Sequence, residues 1–310
     1  MTNFNTNQIE SPKHALQPTN GETITSFGTR NTYTIGELLG EGSFGIVYSC
    51  QDTWGNDLAV KVLKPINTYD QVKRNAENEF RKLLELRHPY ITYVFDAFEY
   101  RNTFYIVTEK CHCPISNLFN LSNFSGQAWL KPIAKQILQA VHYVHINNYV
   151  HPDIHEGNIF TTFIKDGMVP DKDKIIQFKL GDLGITKLLP EVGIANTRAQ
   201  WMLPPEVLNS SEFGPVDSRI DIYHLGLLFL QMGHSKRLRF TKEEILEGKP
   251  REMALELPTQ MSYALEKSLR RHVNFRTTSA LEFWQDLNNQ SSTSHLSIVP
   301  GNVISNNMKS

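Results

Sequence analysis

The stretch that decides the fold is His151-Pro-Asp153-Ile-His155-Glu-Gly-Asn158, because it gathers several reactive side chains in one short loop. Asp153 and Asn158 lie five positions apart, and an irregular loop can direct a carboxylate to a hydroxyl proton and an amide oxygen to a metal. A purely solvated polar loop is the plainer alternative. Apolar residues on both sides, Tyr149-Val150 and Ile159-Phe160, weaken that alternative, so the loop is a candidate site.

A further carboxylate follows at the end of a short predicted strand, in Lys179-Leu-Gly-Asp182-Leu-Gly184. Aspartate and asparagine oxygens are hard ligands, which suit Mg²⁺ that bridges phosphate groups rather than zinc. Asp182 and Asn158 are therefore the predicted metal ligands.

A glycine-rich segment lies upstream, Gly40-Glu41-Gly42-Ser43-Phe44-Gly45-Ile-Val47, with the pattern G-x-G-x-x-G-x-V. Glycines allow the backbone to approach phosphate oxygens closely and to offer them amide groups. The dinucleotide-binding version of this pattern needs a helix directly after the glycines. Here Ile46–Cys50 is β-branched and aromatic, so a second strand is predicted and the dinucleotide fold is disfavoured.

Lys61 stands in the middle of an apolar predicted strand, Leu58–Val62. One interpretation is a lysine at a sheet edge with its ammonium group in water. The other is a cation held in a cleft for nucleotide phosphates, which requires a carboxylate partner. Glu79, on the following predicted helix at Thr68–Arg87, supplies that carboxylate, and the pair in this order favours the second interpretation.

The periodicity of apolar residues divides the chain into two parts. Residues 33–109 contain short β-type runs and one helix, whereas helical patterns dominate after about residue 114. We therefore predict an α+β, bilobal fold with a small β-rich N-lobe at about 33–110 and a larger α-helical C-lobe at about 114–288. Residues 1–32 and 289–310 are polar and lack apolar periodicity, which predicts disordered tails.

Three local patterns predict particular elements. Ile220–Met232 is so apolar that we expect a buried helix without a solvent face. Thr241-Lys-Glu-Glu244 predicts a capping box that begins another helix. The segment between Asn158 and Asp182 has a polar middle, which predicts an extended hairpin.

Composition narrows the possible functions. The 31 basic and 32 acidic residues nearly balance, which argues against a nucleic-acid binder that acts through bulk charge. Three cysteines cannot form a disulfide framework, and they predict a reducing compartment. The sequence lacks an apolar stretch that would make a signal peptide or a membrane span, so we expect a cytoplasmic protein, with delivery into another cell left open. The sequence leaves the oligomeric state unknown.

Taken in order, these motifs resemble those of the eukaryotic-type (Ser/Thr) protein kinase family. The resemblance covers about residues 33–288 and adds Pro204-Pro-Glu206 and Asp221 in Asp-Ile-Tyr-His-Leu-Gly. It also adds the late Arg276, which the resemblance pairs with Glu206. Each motif alone is weak to moderate, whereas eight of them in the correct order are specific.

The resemblance implies that ATP and Mg²⁺ bind between the lobes. The glycine-rich loop would cover the phosphates, and Val47 and Ala59 would sandwich the adenine. Thr108 would stand at the gatekeeper position, and the backbone of Glu109 and Cys111 would contact the adenine from the hinge.

The resemblance also assigns catalytic roles. Lys61, oriented by Glu79, would hold the α- and β-phosphates, and Asp182 and Asn158 would hold the metal ions. Asp153 would orient and deprotonate the acceptor hydroxyl of a protein substrate that the sequence does not identify.

Three positions depart from the family pattern. Pro152 replaces the arginine that receives an activation-loop phosphate, which predicts activity without that switch. His155 replaces the lysine that neutralises the transferred phosphoryl group, and an unperturbed pKa of about 6.5 predicts a slower or pH-sensitive enzyme. Ala199 replaces a threonine that contacts that lysine and the catalytic aspartate, so the acceptor-docking stretch is atypical.

Three functions stay open at this point. The first is an active protein kinase that transfers the γ-phosphoryl group of ATP to Ser or Thr. The second is a small-molecule phosphotransferase, because aminoglycoside and choline kinases often carry His-x-Asp-x-His-x-x-Asn, as His151 to Asn158 does. The third is an ATP-binding pseudokinase scaffold. The complete set of charged and metal-binding side chains favours the first.

Overall fold

The computed structural model describes residues 17–42, 45–64, 74, 86–164, 175–183, 187–188 and 202–288. The predicted helix Thr68–Arg87 lies almost wholly outside these ranges. Arg74 is helical, whereas Leu86 and Arg87 are described and are not helical. The predicted C-terminal tail, 289–310, and the first part of the predicted N-terminal tail also lie outside them.

The N-lobe is built on a six-stranded antiparallel sheet with the strand order β1-β2-β3-β4-β6-β5. The strands are β1 (Thr23–Thr25), β2 (Thr32–Glu41), β3 (Gly45–Asp52), β4 (Asp57–Leu63), β5 (Val94–Tyr100) and β6 (Thr103–Glu109). Successive side chains of a strand point to opposite faces of the sheet, so every second residue lies on the same face. Leu58, Val60 and Val62 of β4 join the buried cluster on the outer face, and the intervening residues face the C-lobe.

The two edges of this sheet are brought together by a buried carboxylate. Asp96 on β5 accepts hydrogen bonds from the Tyr33 hydroxyl of β2 at 2.9 Å and from the Thr29 hydroxyl at 2.6 Å. The Tyr33 ring also stacks on Phe98, with 5.7 Å between ring centroids. Because β2 and β5 are separated by three strands in the sheet order, these contacts show that the sheet is strongly curled.

The predicted disordered tail at 1–32 is wrong for its last part. Thr23–Thr25 pairs with Thr32–Thr34 as strand β1, and the Ile24 side chain is completely buried. The segment is mostly polar, but Ile24 faces the sheet core, and the neighbouring threonines have high β propensity. The ordered N-lobe therefore begins before Tyr33.

The C-lobe is helical, as predicted. Its α-helices are α1 (Gly126–Ile146), α2 (Pro205–Leu208), α3 (Ser210–Phe213), α4 (Arg219–Gly233), α5 (Lys242–Glu247), α6 (Lys249–Leu255), α7 (Thr259–Ser268) and α8 (Ala280–Asn288), with 3-10 turns at Ile115–Asn120 and Val273–Phe275. Helix α4 is buried from Ile220 to Gly233, which confirms the prediction of a helix without a solvent face. It packs against α1 and α7, so it forms the centre of the lobe. Helix α5 begins with the predicted capping box at Thr241 and Glu244.

The described residues also form two small sheets outside the N-lobe sheet. Strands β7 (Cys113–Pro114), β9 (Ile159–Ile164) and β10 (Ile175–Leu180) form one, and β8 (Tyr149–Val150) pairs with β11 (Lys187–Leu188) in the other. The antiparallel pairing of β9 with β10 confirms the predicted hairpin between Asn158 and Asp182. The α+β, bilobal fold predicted from the sequence is therefore confirmed. None of the helices in the described ranges is both long enough and apolar enough to cross a membrane.

Candidate active site

One face of the N-lobe sheet carries the residues predicted to meet a nucleotide. Directly opposed residues in an antiparallel pair project to the same side of the sheet. Val47 opposes Lys61, and Ala59 opposes Thr108, while Ala59 and Lys61 lie two positions apart on β4. The four side chains therefore share the face that looks toward the C-lobe.

The glycine-rich loop is the hairpin between β2 and β3. Gly40 pairs with Val47, and the Gly42 amide donates to the Gly45 carbonyl at 2.9 Å. Gly45 is required for packing, because a Cβ atom there would lie 2.6 Å from the Val62 carbonyl oxygen. A Cβ atom at Gly40 would meet no atom within 4 Å, so the loop leaves open space beside that residue.

Lys64, which the sequence analysis did not select, fastens this loop to the end of β4. Its ammonium group lies 2.5 Å from Glu41 Oε1 and 3.0 Å from the Gly42 carbonyl oxygen. The contact ties the loop backbone to the residue that follows β4. Its only sequence signal is a lysine just after an apolar strand, which is common on protein surfaces.

The central contact of the site joins the two lobes. Lys61 Nζ lies 2.6 Å from Asp182 Oδ1, with the two side chains 18% and 27% exposed. Asp182 has a positive φ of 53°, a conformation that non-glycine residues rarely adopt and that clusters at functional sites. The preceding strand is held by a parallel bridge between Leu180 and Ile91.

The loop from His151 to Asn158 brings Asp153 and Asn158 together. Asn158 Nδ2 donates to the Asp153 carbonyl oxygen at 2.9 Å, which leaves the amide oxygen Oδ1 as the atom for a cation. The Gly181 amide donates to the Asn158 carbonyl oxygen at 2.8 Å, and this bond links the loop to Asp182. Asp153, Asn158 and Asp182 are thus parts of one continuous hydrogen-bonded unit.

His155 lies beside Asp153. Its Nε2 is 3.6 Å from Asp153 Oδ2, and its Nδ1 accepts a hydrogen bond from the Gly157 amide at 2.9 Å. The neutral ring therefore carries its proton on Nε2, the atom that faces the carboxylate. A Cβ atom on Gly157 would lie 2.7 Å from the ring, so only glycine allows this arrangement.

The two groups shift each other's protonation. Burial alone lowers the pKa of His155, but the nearby Asp153 carboxylate outweighs it and raises the pKa above its ordinary value. Burial alone raises the pKa of Asp153, but His155 outweighs it, and the pKa is lowered. Asp153 is therefore ionised at neutral pH, as a proton acceptor must be.

Asp221 on α4 holds the base of the loop. Its Oδ2 accepts from the His151 amide at 2.9 Å and contacts His145 Nε2 at 2.8 Å. His151 is completely buried, and its Nε2 lies 2.9 Å from the Gly181 carbonyl oxygen. The buried helix thereby positions both the loop and the residue before Asp182.

The predicted hinge is tied to the C-lobe by an ion pair. Glu109 Oε1 lies 2.6 Å from Lys179 Nζ and accepts from the Tyr93 amide at 2.7 Å. Lys179 was not selected from the sequence, because nothing in a linear pattern relates it to a residue 70 positions earlier. Burial raises the pKa of the Cys111 thiol to about 12, so this hinge cysteine is a neutral thiol.

The predicted pair of Glu206 and Arg276 is present and completely buried. Arg276 Nη1 and Nη2 lie 2.6 and 2.7 Å from the two Glu206 carboxylate oxygens, a bidentate geometry. The guanidinium group also lies over the Tyr223 ring at 4.8 Å. This pair anchors α2, the helix that contains Pro205 and Glu206 of the Pro-Pro-Glu motif.

The structure thus brings together Lys61, Asp153, His155, Asn158 and Asp182, together with the sheet face that carries Val47, Ala59 and Thr108. Ser43, Phe44 and Glu79 lie outside the described residues, as does Ala199. The carboxylate of Asp182 and the amide oxygen of Asn158 have the chemistry of Mg²⁺ ligands. Within the described ranges, groups of three or more His, Cys, Asp or Glu side chains that would hold a metal by themselves do not occur.

Comparison with known proteins agrees with this geometry. The protein kinase domain family matches residues 33–300, and the chain therefore belongs to the protein kinase family.

Several curated kinases are similar to the chain. It is 31% identical over 199 residues to cyclin-dependent kinase-like 4 of Homo sapiens, across 62% of this chain and 48% of the relative. It is 26% identical over 211 residues to serine/threonine-protein kinase dst4 of Dictyostelium discoideum, across 66% and 41%. Cell division control protein 2 homolog 2 of Trypanosoma brucei brucei is 27% identical over 255 residues, across 80% and 70%. The chain spans about half the length of the first of these relatives.

Proposed function

We propose that the protein is an ATP-dependent kinase that transfers the γ-phosphoryl group to Ser or Thr hydroxyls of a protein substrate. The observation that carries the proposal is the 2.6 Å contact between Lys61 and Asp182, because it joins a cation of the N-lobe to a C-lobe carboxylate from the same hydrogen-bonded unit as Asp153. Nucleotide phosphates need the cation, and their metal ion needs the carboxylate.

Each residue then has a defined role. The sheet face with Val47 and Ala59 receives the adenine, beside the backbone of Glu109 and Cys111. Lys61 turns from Asp182 to the α- and β-phosphates when the nucleotide binds. The glycine-rich loop covers the phosphates with backbone amides. Positioning and charge neutralisation by these groups supply most of the rate enhancement.

The transfer step uses Asp153 as the proton acceptor. The oxygen of the acceptor hydroxyl bonds to the γ-phosphorus, its proton passes to Asp153, and the bond from the γ-phosphorus to the bridging oxygen breaks to release ADP. His155, next to Asp153, neutralises charge on the transferred group in its protonated form.

The donor set fits Mg²⁺. Asp182 and Asn158 are the residues that would hold it, through a carboxylate oxygen and the amide oxygen Oδ1. When bound, Mg²⁺ neutralises phosphate charge in this family of reactions.

Two observations point to different acceptors. The buried Glu206–Arg276 pair favours a protein acceptor, because it anchors the segment in which kinases dock peptides. The position of His155 beside Asp153 favours the alternative of a small-molecule acceptor, since related phosphotransferases share that arrangement. We place the protein acceptor first, because a small-molecule acceptor would not need an anchored segment for peptide docking. The cytoplasmic location stays a prediction from the sequence.

One labelling experiment tests the proposal. The protein is incubated with γ-labelled ATP and Mg²⁺, alone and with generic protein acceptors, beside Asp153→Asn and Lys61→Ala. We expect label on protein with the wild type, and loss of label in both variants. ATP turnover without label on protein would favour the small-molecule phosphotransferase. Bound ATP without turnover would favour the pseudokinase scaffold and contradict catalysis.

A further inference from the structure

His224 is an unexpected residue in the most buried helix of the protein. Every residue of α4 from Ile220 to Gly233 is buried, and His224 itself is 1% exposed. An imidazole in such a place costs free energy unless its nitrogen atoms find partners. His224 therefore suggests that the helix does more than fill the core.

The partner of His224 is the backbone of the segment before α2. Its Nε2 lies 2.9 Å from the Met202 carbonyl oxygen. A carbonyl oxygen only accepts, so Nε2 carries the proton. Among the described residues the other nitrogen, Nδ1, has no hydrogen-bond partner. The ring is thus held by a single directional bond to Met202.

Carboxylates from three parts of the chain affect the pKa of His224. Burial lowers its pKa, and the carboxylates of Asp221, Asp153 and Glu206 act in the opposite direction without outweighing burial. The imidazole is therefore a neutral donor. Of these carboxylates, Asp153 belongs to the loop from His151 to Asn158 and Glu206 belongs to α2.

We propose that His224 is a positioning residue that fixes the acceptor-docking segment, Met202 to Glu206, relative to Asp153. The effect on acceptor binding rests on the proposed kinase function, whereas the position of the segment does not depend on activity. Glu206 anchors the far end of this segment through Arg276. The bond to His224 holds its near end. A small buried cluster joins Val150, which precedes the loop from His151 to Asn158, to Val207 of α2 and Ile220 of α4.

A matched pair of substitutions separates this role from core packing. Methionine and glutamine have similar length and volume, but only glutamine has an N–H near the position of Nε2. We therefore compare His224→Met and His224→Gln by amide hydrogen exchange of the peptide that contains residues 202–208. A peptide from the middle of α1 serves as the internal reference.

We expect about fivefold faster exchange or more at 202–208 in His224→Met, near wild-type exchange in His224→Gln, and an unchanged α1 peptide in both. In an active enzyme, His224→Met should also raise KM for a protein acceptor about fivefold without changing KM for ATP. Equal loosening of 202–208 in both variants, or none in His224→Met, would overturn the inference. An inactive wild type would overturn the proposed function instead, and the exchange pattern would still decide the role of His224.

Discussion

Two ion pairs connect distant parts of this chain, and they differ in burial. Glu206 and Arg276 are both 0% exposed and meet through two parallel hydrogen bonds. Lys61 and Asp182 are 18% and 27% exposed and meet at 2.6 Å between Nζ and Oδ1. The first pair cannot open without leaving a buried charge unpaired, whereas the second can exchange one partner for phosphate and metal.

The same contrast distinguishes two aspartates. Asp96 is buried and satisfied by the hydroxyl groups of Tyr33 and Thr29, so its function is structural. Asp153 is 25% exposed by side chain and faces an imidazole at 3.6 Å. The charges that maintain the fold are therefore fully enclosed, whereas those proposed for catalysis are partly exposed to solvent.

The largest effect should come from the enclosed pair. Arg276→Met leaves Glu206 charged and buried, and we expect the free energy of unfolding to fall by about 3–5 kcal/mol. Chemical denaturation measures it. Arg276→Lys keeps the charge but loses the bidentate geometry, so its free energy of unfolding should lie between those of Arg276→Met and the wild type. A loss below 1 kcal/mol in Arg276→Met would remove the basis for the contrast.

The cleft pair should show the opposite division between activity and stability. Lys61→Ala is expected to slow phosphoryl transfer by about 10²–10³-fold, because a preorganised cation is lost. The free energy of unfolding should change by about 1 kcal/mol or less, since the pair is partly exposed. Initial rates with labelled ATP and a denaturation curve test both statements. A strongly destabilised Lys61→Ala would show that this pair, too, maintains the fold.

Tyr33→Phe tests the enclosed aspartate of the N-lobe. Removal of the hydroxyl leaves Asp96 with one fewer donor, so we expect a loss of about 1.5–3 kcal/mol in the free energy of unfolding. Tyr33 shows how closely the two groups interact, because burial and the Asp96 carboxylate both raise the pKa of its phenol. Tyr105→Phe removes a hydroxyl from the same cluster and serves as the control. Equal losses in the two variants would argue against a special role for Asp96.

The smallest effect concerns His155. Its pKa is raised, so the protonated form is present below that pKa and is lost as the pH rises through it. We expect the wild-type rate to fall with pH above that pKa, by up to about tenfold per pH unit. His155→Lys keeps its charge throughout this range and should give a flat profile. Flat profiles between about pH 6 and 8 in both proteins would show that the charge of residue 155 is not used.

The sequence was sufficient where a local pattern had a single structural solution. The apolar run at Ile220–Met232 could only be a buried helix, and Thr241 with Glu244 formed the predicted capping box. The order of motifs likewise predicted that Lys61 and Asp182 line one cleft, although 121 positions separate them. In that case the family resemblance supplied the long-range information that periodicity lacks.

Other features could not be predicted because they depend on packing between distant segments. The pairing of Lys179 with Glu109 joins two lobes, and neither residue departs from an ordinary surface composition. Strand β1 depends on one buried isoleucine in a polar segment. His224 is visible in the sequence as a polar residue in an apolar helix, but its partner, the Met202 carbonyl, is a backbone atom without a sequence signal.

The closure of the N-lobe sheet constrains the order of events during protein synthesis. Asp96 follows Thr29 by 67 residues, and until it leaves the ribosome the Thr29 and Tyr33 hydroxyls lack the acceptor that they contact in the finished protein. At translation speeds of roughly 5–20 residues per second, this delay lasts roughly 3–13 s. During that interval the early strands of the nascent chain are exposed to chaperones and to pairing with neighbouring chains.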